Sequence, residues 1–297
     1  MEKSDPIAII CVCDNHYAIL LAALIKSIEV NHHSGEKLEF FIVEDGITTK
    51  NKTRIRNASN QEVTSIHWMA MSECLPKDAK LPVDKSSLPL NIYTRLFIPH
   101  FIPKHIKKII FLDVDMIMLE DVSKLWHTDL GNNIVGAVQD QFIQVVTRWG
   151  GISNYEELGI PADNKYFNAG LMVLDIDKWE KADITNKVLA CLTQHKKHAV
   201  FQDQYGLNAV LALHWQELDP LWNRFAYSEE ERPFLIHFTG RKPIYKSYEF
   251  SEKYKEIFFS YLNMTAWKNF KPIGESSRYL KKFYNILEKL RNLVGLK

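Results

Sequence analysis

The chain lacks what a disulfide scaffold or a membrane span would need. It has four cysteines in 297 residues, Cys11, Cys13, Cys74 and Cys191, and no pair has the Cys-x-x-Cys spacing of a redox or zinc site. Cys11 and Cys13 lie two apart in an apolar run, where a strand turns both to one side. Neighbours at i and i+2 rarely bridge, so all four are expected as free thiols of a reducing compartment. The first apolar run, Ile7 to Val12, is far shorter than the ~20 residues that cross a bilayer, and no later stretch is long enough. It also lacks the basic flank and small-residue cleavage site of an export signal, so a cytoplasmic protein is expected. An excess of one charge is missing too. There are 37 Lys and Arg against 36 Asp and Glu, a formal net charge of +1, which singles out no partner and gives no reason to expect nucleic acid.

What is present is an ordinary globular composition, 46% hydrophobic and 25% charged, on a chain long enough to bury a large core. The run from Ile7 to Cys13 stops at Asp14-Asn15 and reads as a buried parallel strand with polar residues at its carboxyl end. Residues 17 to 30 carry apolar side chains at helical spacing (Leu20, Leu21, Leu24, Ile25, Ile28). Strand, helix and strand signals follow at 38–43, 48–58 and 61–69, an alternation that predicts a doubly wound α/β sheet. Ligands of such sheets bind at the carboxyl ends of the strands. Further on, the patterning predicts a polar loop at 75–91, a helix over 91–102 and a strand over 107–115. A small-residue turn, Asn168-Ala169-Gly170, enters an apolar strand, and helices are expected at 184–194 and 203–213, with a short strand at 234–238.

The division expected is a catalytic domain over 1–270 and a tail over 271–297. The tail holds seven basic and two acidic residues. Leu280, Phe283, Ile286, Leu287, Leu290, Leu293 and Val294 fall on one helical face, as in a basic amphipathic helix that lies on an anionic membrane surface. The same pattern also suits a helix packed on the domain with a solvated basic face.

Asp113-Val114-Asp115 closes a buried apolar run. Two carboxylates two apart at a strand end can converge on one hard cation, Mg²⁺ or Mn²⁺. His237 likewise follows an apolar run and can serve as a third ligand. Thr239-Gly240-Arg241-Lys242-Pro243 comes next, with a glycine that permits close approach to a phosphate and cations that can neutralise it. Taken singly, these features have plainer readings. Asn168-Ala169-Gly170 is also an ordinary turn, Asp203 a helix-start carboxylate and Asp140 a loop residue.

In sequence order, however, Cys13-Asp14-Asn15-His16-Tyr17, Tyr93-Thr94-Arg95-Leu96, Phe111-Leu112-Asp113-Val114-Asp115, Gly136-Ala137-Val138-Gln139-Asp140, Tyr166-Phe167-Asn168-Ala169-Gly170, Phe201-Gln202-Asp203-Gln204 and His237-Phe238-Thr239-Gly240-Arg241-Lys242-Pro243 form a recognisable set. The chain resembles the glycosyltransferase family 8 enzymes, which include bacterial lipopolysaccharide galactosyl- and glucosyltransferases and are related to glycogenin. The resemblance spans about residues 7 to 245. It implies a GT-A fold, a Rossmann-like mixed α/β sheet followed by C-terminal amphipathic helices. It implies retaining transfer of galactose or glucose from a UDP-hexose to a glycan or glycolipid acceptor such as lipopolysaccharide. By position it implies that Asp113, Asp115 and His237 hold Mn²⁺, with Mg²⁺ as the alternative. Cys13, Asp14, His16, Tyr17, Arg95, Val114, Asn168, Ala169, Gly240 and Lys242, together with Asp113, are implied to line the UDP-sugar. Asp203, Gln204 and Asp140 are implied at the reacting face.

Two departures stand out. His16 replaces the Asn of many members. Only Arg241 separates Gly240 from Lys242-Pro243, where two residues are usual, and Ile244 replaces a Trp. Either Lys242 or Arg241 is therefore expected on the diphosphate. Three rival readings carry distinct requirements. A glycoside hydrolase needs no metal-binding Asp-x-Asp. A non-catalytic nucleotide-sugar or glycan-binding module has no need of Asp203. A self-glucosylating primer needs an acceptor tyrosine, and none of the 12 stands out. The expected location is cytoplasmic, at the inner face of the cell membrane through the tail.

Overall fold

The computed structural model describes residues 5–76, 81–82 and 90–274, with 276, 279–280, 283–284 and 287 in the tail. The chain runs β1 (Ile7–Asp14), α1 (Ala18–Asn31), β2 (Leu38–Asp45), α2 (Thr49–Ala58), β3 (Thr64–Ala70) and a short α3 (Met71–Cys74). A 3₁₀ segment (Leu90–Phe97), α4 (Ile98–Phe101), β4 (Lys108–Leu112), β5 (Met116–Met118) and α5 (Val122–Trp126) follow. Then come β6 (Val135–Gln139), β7 (Phe167–Asp175), α6 (Ile176–Lys181), α7 (Ile184–Gln194), α8 (Gln202–Leu211), β8 (Trp215–Glu217), a second 3₁₀ turn (Pro220–Asn223), β9 (Arg224–Phe225), β10 (Leu235–His237) and α9 (Glu252–Leu262).

Among the described residues the strands form two sheets. The larger has the order β3-β2-β1-β4-β7-β6-β8, and the smaller β5-β10-β9. The first four strands of the large sheet are parallel, as strand–helix–strand connections allow. β7 then runs antiparallel to both β4 and β6, so the sheet is mixed. Both faces are covered, and the alternation along β1 separates them. Ile7, Ile9, Cys11 and Cys13 enter the core beneath α1 and α9. Ala8 and Ile10 enter the opposite core with the 3₁₀ segment and α6–α8. Cys11 and Cys13 therefore do face one side, and all four cysteines are buried and none forms a disulfide.

This topology decides where chemistry can be placed. Because β7 is reversed, its start lies beside the carboxyl ends of its neighbours. Leu112 of β4 pairs with Leu171, and Val138 of β6 with Asn168. The ends of β1, β4 and β6 and the beginning of β7 thus share one edge of the sheet.

Two expectations need correction. Asn168-Ala169-Gly170 is not a turn: it lies inside β7, with the Asn168 side chain accepting from the Gly170 amide at 3.1 Å, turn chemistry satisfied within a strand. Residues 91–102 are not one α-helix. They form the 3₁₀ segment and then α4, whose start contains Pro99. Proline has no N–H to donate and crowds the preceding turn, so a continuous α ladder stops there. Much of the expected 75–91 loop lies outside the described residues, as do Ile286, Leu290, Leu293 and Val294 of the tail pattern.

Candidate active site

Between β4 and β5 the chain passes from the large sheet to the small one through Asp113-Val114-Asp115. Both sides of this crossing are pinned. Asp113 N donates to Gly170 O at 2.8 Å, and Phe238 N donates to Asp115 O at 2.9 Å. Val114, facing the other way, is buried in the core and makes no part of the carboxylate surface. β10 lies antiparallel to β5 with His237 opposite Met116, which brings the imidazole to the crossing. His237 Nε2 lies 3.4 Å from Asp115 Oδ1 and 3.9 Å from Asp113 Oδ2. The three ligand atoms of Asp113, Asp115 and His237 lie within 4.8 Å of one another. Two carboxylates and one imidazole fit a divalent cation of the Mn²⁺ or Mg²⁺ type.

The orientation of His237 follows from a chain of assigned donors. The Gly170 amide can only donate, so the Asn168 atom that receives it is an oxygen. That same Oδ1 receives Asn223 Nδ2 at 2.9 Å. The other end of the Asn223 amide, its oxygen, therefore faces His237 Nδ1 at 2.9 Å. Nδ1 must therefore carry a proton, and Nε2 is the ring nitrogen that faces the carboxylates. Gly170 is needed at this point for space. A Cβ there would meet His237 Cε1 at 2.6 Å and Asp113 Oδ2 at 2.8 Å.

Two cations balance the two carboxylates. Arg95, at the end of the 3₁₀ segment, donates from Nη2 to Asp113 Oδ1 at 3.0 Å and from Nη1 to Ala169 O at 2.7 Å. Its guanidinium lies 4.4 Å from the Phe111 ring centroid, a cation–π contact. Lys242 donates to the Asp115 carboxylate and to Phe238 O. Burial pushes the Asp113 carboxyl up against the pull of Arg95, and Asp115 adds to the rise. Burial acts likewise on Asp115, but Lys242 and His237 outweigh it and hold that carboxyl well below the usual range. Arg241 turns outward to Glu249 at 2.7 Å. Of the two expected cations, only Lys242 reaches the carboxylates. Gly240 before them has φ 77°, and a Cβ there would touch only Phe250, at 3.8 Å. Within the chain its requirement is conformational.

Beside the carboxylates lies a buried polar network. Asp140 Oδ1 accepts the amides of Phe142 and Ile143, both at 2.9 Å. Its Oδ2 accepts from Asn168 Nδ2 at 3.1 Å and Gln204 Nε2 at 3.3 Å. Gln204 Oε1 in turn accepts from Asn168 Nδ2 at 3.1 Å and the Ala169 amide at 3.0 Å. Asp203 sits one residue away with Oδ2 3.1 Å from Arg95 Nε. That contact is an ion pair without hydrogen-bond alignment, and the oxygen has no hydrogen-bond donor. Burial pushes its carboxyl up to about 6 despite Arg95.

The residues expected on the nucleotide lie at the end of β1. Asp14 Oδ1 accepts the Tyr17 amide at 3.0 Å. Cys13, whose Sγ donates to Asp14 O at 3.2 Å, points into the core. His16 Nε2 and the Tyr245 hydroxyl share a 2.7 Å hydrogen bond, tying this end of the site to the loop after Lys242. Gly170, Asn223 and Tyr245 are site residues that sequence reasoning missed as functional positions. The first sits in a quoted motif, but nothing in spacing marks the other two.

Residues 8–243 match the family model described as "Glycosyl transferase family 8". General stress protein A of Bacillus subtilis (strain 168) is 29% identical over 288 residues, covering 90% of this chain and 96% of that protein. Lipopolysaccharide 1,2-glucosyltransferase of Escherichia coli (strain K12) is 25% identical, over 69% of this chain and 64% of that one. Among solved structures, the galactosyltransferase LgtC in complex with donor and acceptor sugar analogs superposes with a TM-score of 0.73 at 22% identity. It covers 88% of this chain and 96% of that one.

Proposed function

The chain belongs to glycosyltransferase family 8 and has the GT-A fold; from that premise we propose that it is a retaining, metal-dependent hexosyltransferase. It moves galactose or glucose from a UDP-sugar to a cell-surface glycan such as lipopolysaccharide. The observation that carries this reading is the joining of two assemblies at one sheet edge. The Asp113, Asp115 and His237 cluster connects through Asn223 and Asn168 to the Asp140–Gln204 network.

The residues divide the work. Asp113, Asp115 and His237 hold Mn²⁺ (or Mg²⁺), which supplies Lewis-acid stabilisation of the diphosphate's charge when bound. Lys242, beside Asp115, adds a positive charge where the leaving UDP becomes more negative. Arg95 keeps Asp113 and Asp203 oriented. Asp14, His16 and Tyr17 take the nucleoside end, with Cys13 supporting them from the core. Asn168, Ala169 and Asp140 take the sugar and Gln204 the face near the anomeric carbon.

Neither nearby carboxylate suits a covalent intermediate. Both oxygens of Asp140 receive two donors each, and Asp203 is paired with Arg95. This supports attack by the acceptor hydroxyl on the face that UDP leaves, rather than a glycosyl-enzyme.

We place the protein in the cytoplasm, at the inner face of the cell membrane. No helix among the described residues is long and apolar enough to cross a membrane. In the described part of the tail Tyr279, Leu280, Phe283 and Tyr284 are all exposed, which supports adsorption of a basic amphipathic tail. Deleting 275–297, which keeps Ile273 paired with Ile244 and Lys246, is expected to reduce binding to anionic vesicles while sparing UDP-sugar hydrolysis; unchanged vesicle binding removes the membrane role.

The decisive experiment is UDP release from a panel of UDP-sugars with Mn²⁺ and with EDTA. Metal-dependent hydrolysis of one sugar names the donor. Absence of both turnover and metal-dependent UDP binding overturns the transferase reading.

A further inference from the structure

The helix that carries Asp203 and Gln204 begins in a conformation that glutamine seldom takes. Gln202, the first residue of α8, has φ 38°, in the left-handed region where a Cβ crowds the backbone. Among the described residues the other non-glycine positions with positive φ are Gln144, Asp183 and Asn269. Asp and Asn tolerate the region through short polar side chains, and glutamine lacks that relief. Such a conformation persists only where its surroundings over-determine it.

Those surroundings are specific. The Tyr93 hydroxyl donates to Gln202 Oε1 at 3.1 Å, and the Tyr93 side chain is wholly buried. One residue earlier, the Phe201 ring seats on Gly150, where a Cβ would lie 2.5 Å from Phe201 Cε2. The Phe201 carbonyl then accepts the amides of Gln204 at 2.9 Å and Tyr205 at 3.3 Å, starting the helix. Two residues after Tyr93 on the same 3₁₀ segment, Arg95 Nε faces Asp203 at 3.1 Å. Tyr93 and Arg95 thus hold Gln202 and Asp203 in turn. If backbone shape alone mattered, glycine would suit position 202 better, since it adopts positive φ without steric conflict. What glycine cannot supply is the acceptor for Tyr93.

We propose that the Tyr93–Gln202 hydrogen bond is a clamp that sets how Asp203 and Gln204 enter the site, making Tyr93 and Gln202 positioning residues for sugar transfer. This rests on the transferase reading above. Without the clamp, α8 starts in a different pitch. Gln204 then loses its alignment with Ala169 N, Asn168 and Asp140, contacts of 3.0–3.3 Å that leave little tolerance.

The test uses the full chain and three variants, Tyr93→Phe, Gln202→Gly and the double. Steady-state transfer, UDP binding by calorimetry and amide exchange at residues 203–205 are measured for each. The expected result is a 10- to 100-fold lower kcat for each single variant, with the donor KM and UDP affinity within twofold of the parent. Members of one coupled pair are non-additive, so the double variant is expected to be no slower than the worse single. Amide exchange at 203–205 rises at least tenfold in Tyr93→Phe. Losses that multiply in the double variant, a change in KM with kcat intact, or unchanged exchange would each overturn the clamp. A general structural role would instead lower UDP affinity and kcat together. If the parent transfers no sugar, the transferase reading falls by itself, and the exchange measurement still decides the clamp.

Discussion

Asn223 holds His237 by its ring nitrogen: the Asn223 amide oxygen accepts from Nδ1 at 2.9 Å, with both side chains buried. An outer-shell partner of this kind fixes tautomer and ring angle, and its loss typically weakens metal binding 10- to 100-fold. Asn223→Ala is expected to weaken Mn²⁺ binding by that factor, read by calorimetry or electron paramagnetic resonance. Unaltered affinity would mean that His237 does not need its partner to face the cation.

Gly170 makes a second prediction. Alanine there places a methyl group 2.6 Å from His237 and 2.8 Å from Asp113, contacts too short to keep. Overpacking of this kind destabilises by about 1–3 kcal/mol, but the larger effect falls on the ligands that must move. Gly170→Ala is expected to fold, to melt several degrees lower and to lose Mn²⁺ binding at least 100-fold. A melting shift with normal metal affinity would refute the crowding argument.

The two cations after Gly240 separate cleanly. Lys242 lies on Asp115, while Arg241 faces Glu249 on the outside. Lys242→Ala is expected to cut transfer at least 100-fold, and Arg241→Ala to leave it within about threefold, since exposed ion pairs contribute little. Equal losses would assign the diphosphate to both.

Asp203 carries a stability signature. Its carboxyl is pushed up to about 6 from an ordinary 3.8, so folding favours the protonated form. The associated stability is complete below pH 4 and is lost as pH rises through 6, about 3 kcal/mol in all. Asp203→Asn removes that slope. The variant is expected to be more stable than the parent above pH 7, with the gap closing below pH 4, while transfer falls. Denaturant midpoints at pH 4, 6 and 8 measure it. Parallel pH profiles for the two proteins would contradict the buried-charge account.

Much of this was legible beforehand, for physical reasons. A strand buried on both faces is apolar until it reaches the site, so β1 and β4 announced their ends by the carboxylates that follow them. His237 was legible in the same way, as a polar residue closing the apolar run of β10. What was hidden depends on distance in the fold. The reversal of β7 brings Asn168 and Gly170 to the edge where β4 and β6 end, and sequence order carries no sign of that. Small residues at 168–170 read as a turn because turns and close backbone approaches favour the same side chains. Asn223 is a solitary amide whose role comes from its two partners, His237 and Asn168, 14 and 55 residues away. The left-handed Gln202 carries no signal at all, because glutamine is not a residue expected to adopt that conformation.

The small sheet has a consequence for how such a protein fails. Its strands are two or three residues long, yet His237 ends one of them, Asp115 immediately precedes another and Asn223 immediately precedes the third. Short as they are, β5 and β10 are buried in the core that also holds β1 and α1, so the ligand cluster is anchored to the large sheet and opens with it. Activity and circular dichroism should therefore fade together on heating, and a tightly bound metal–nucleotide complex would preserve both at once.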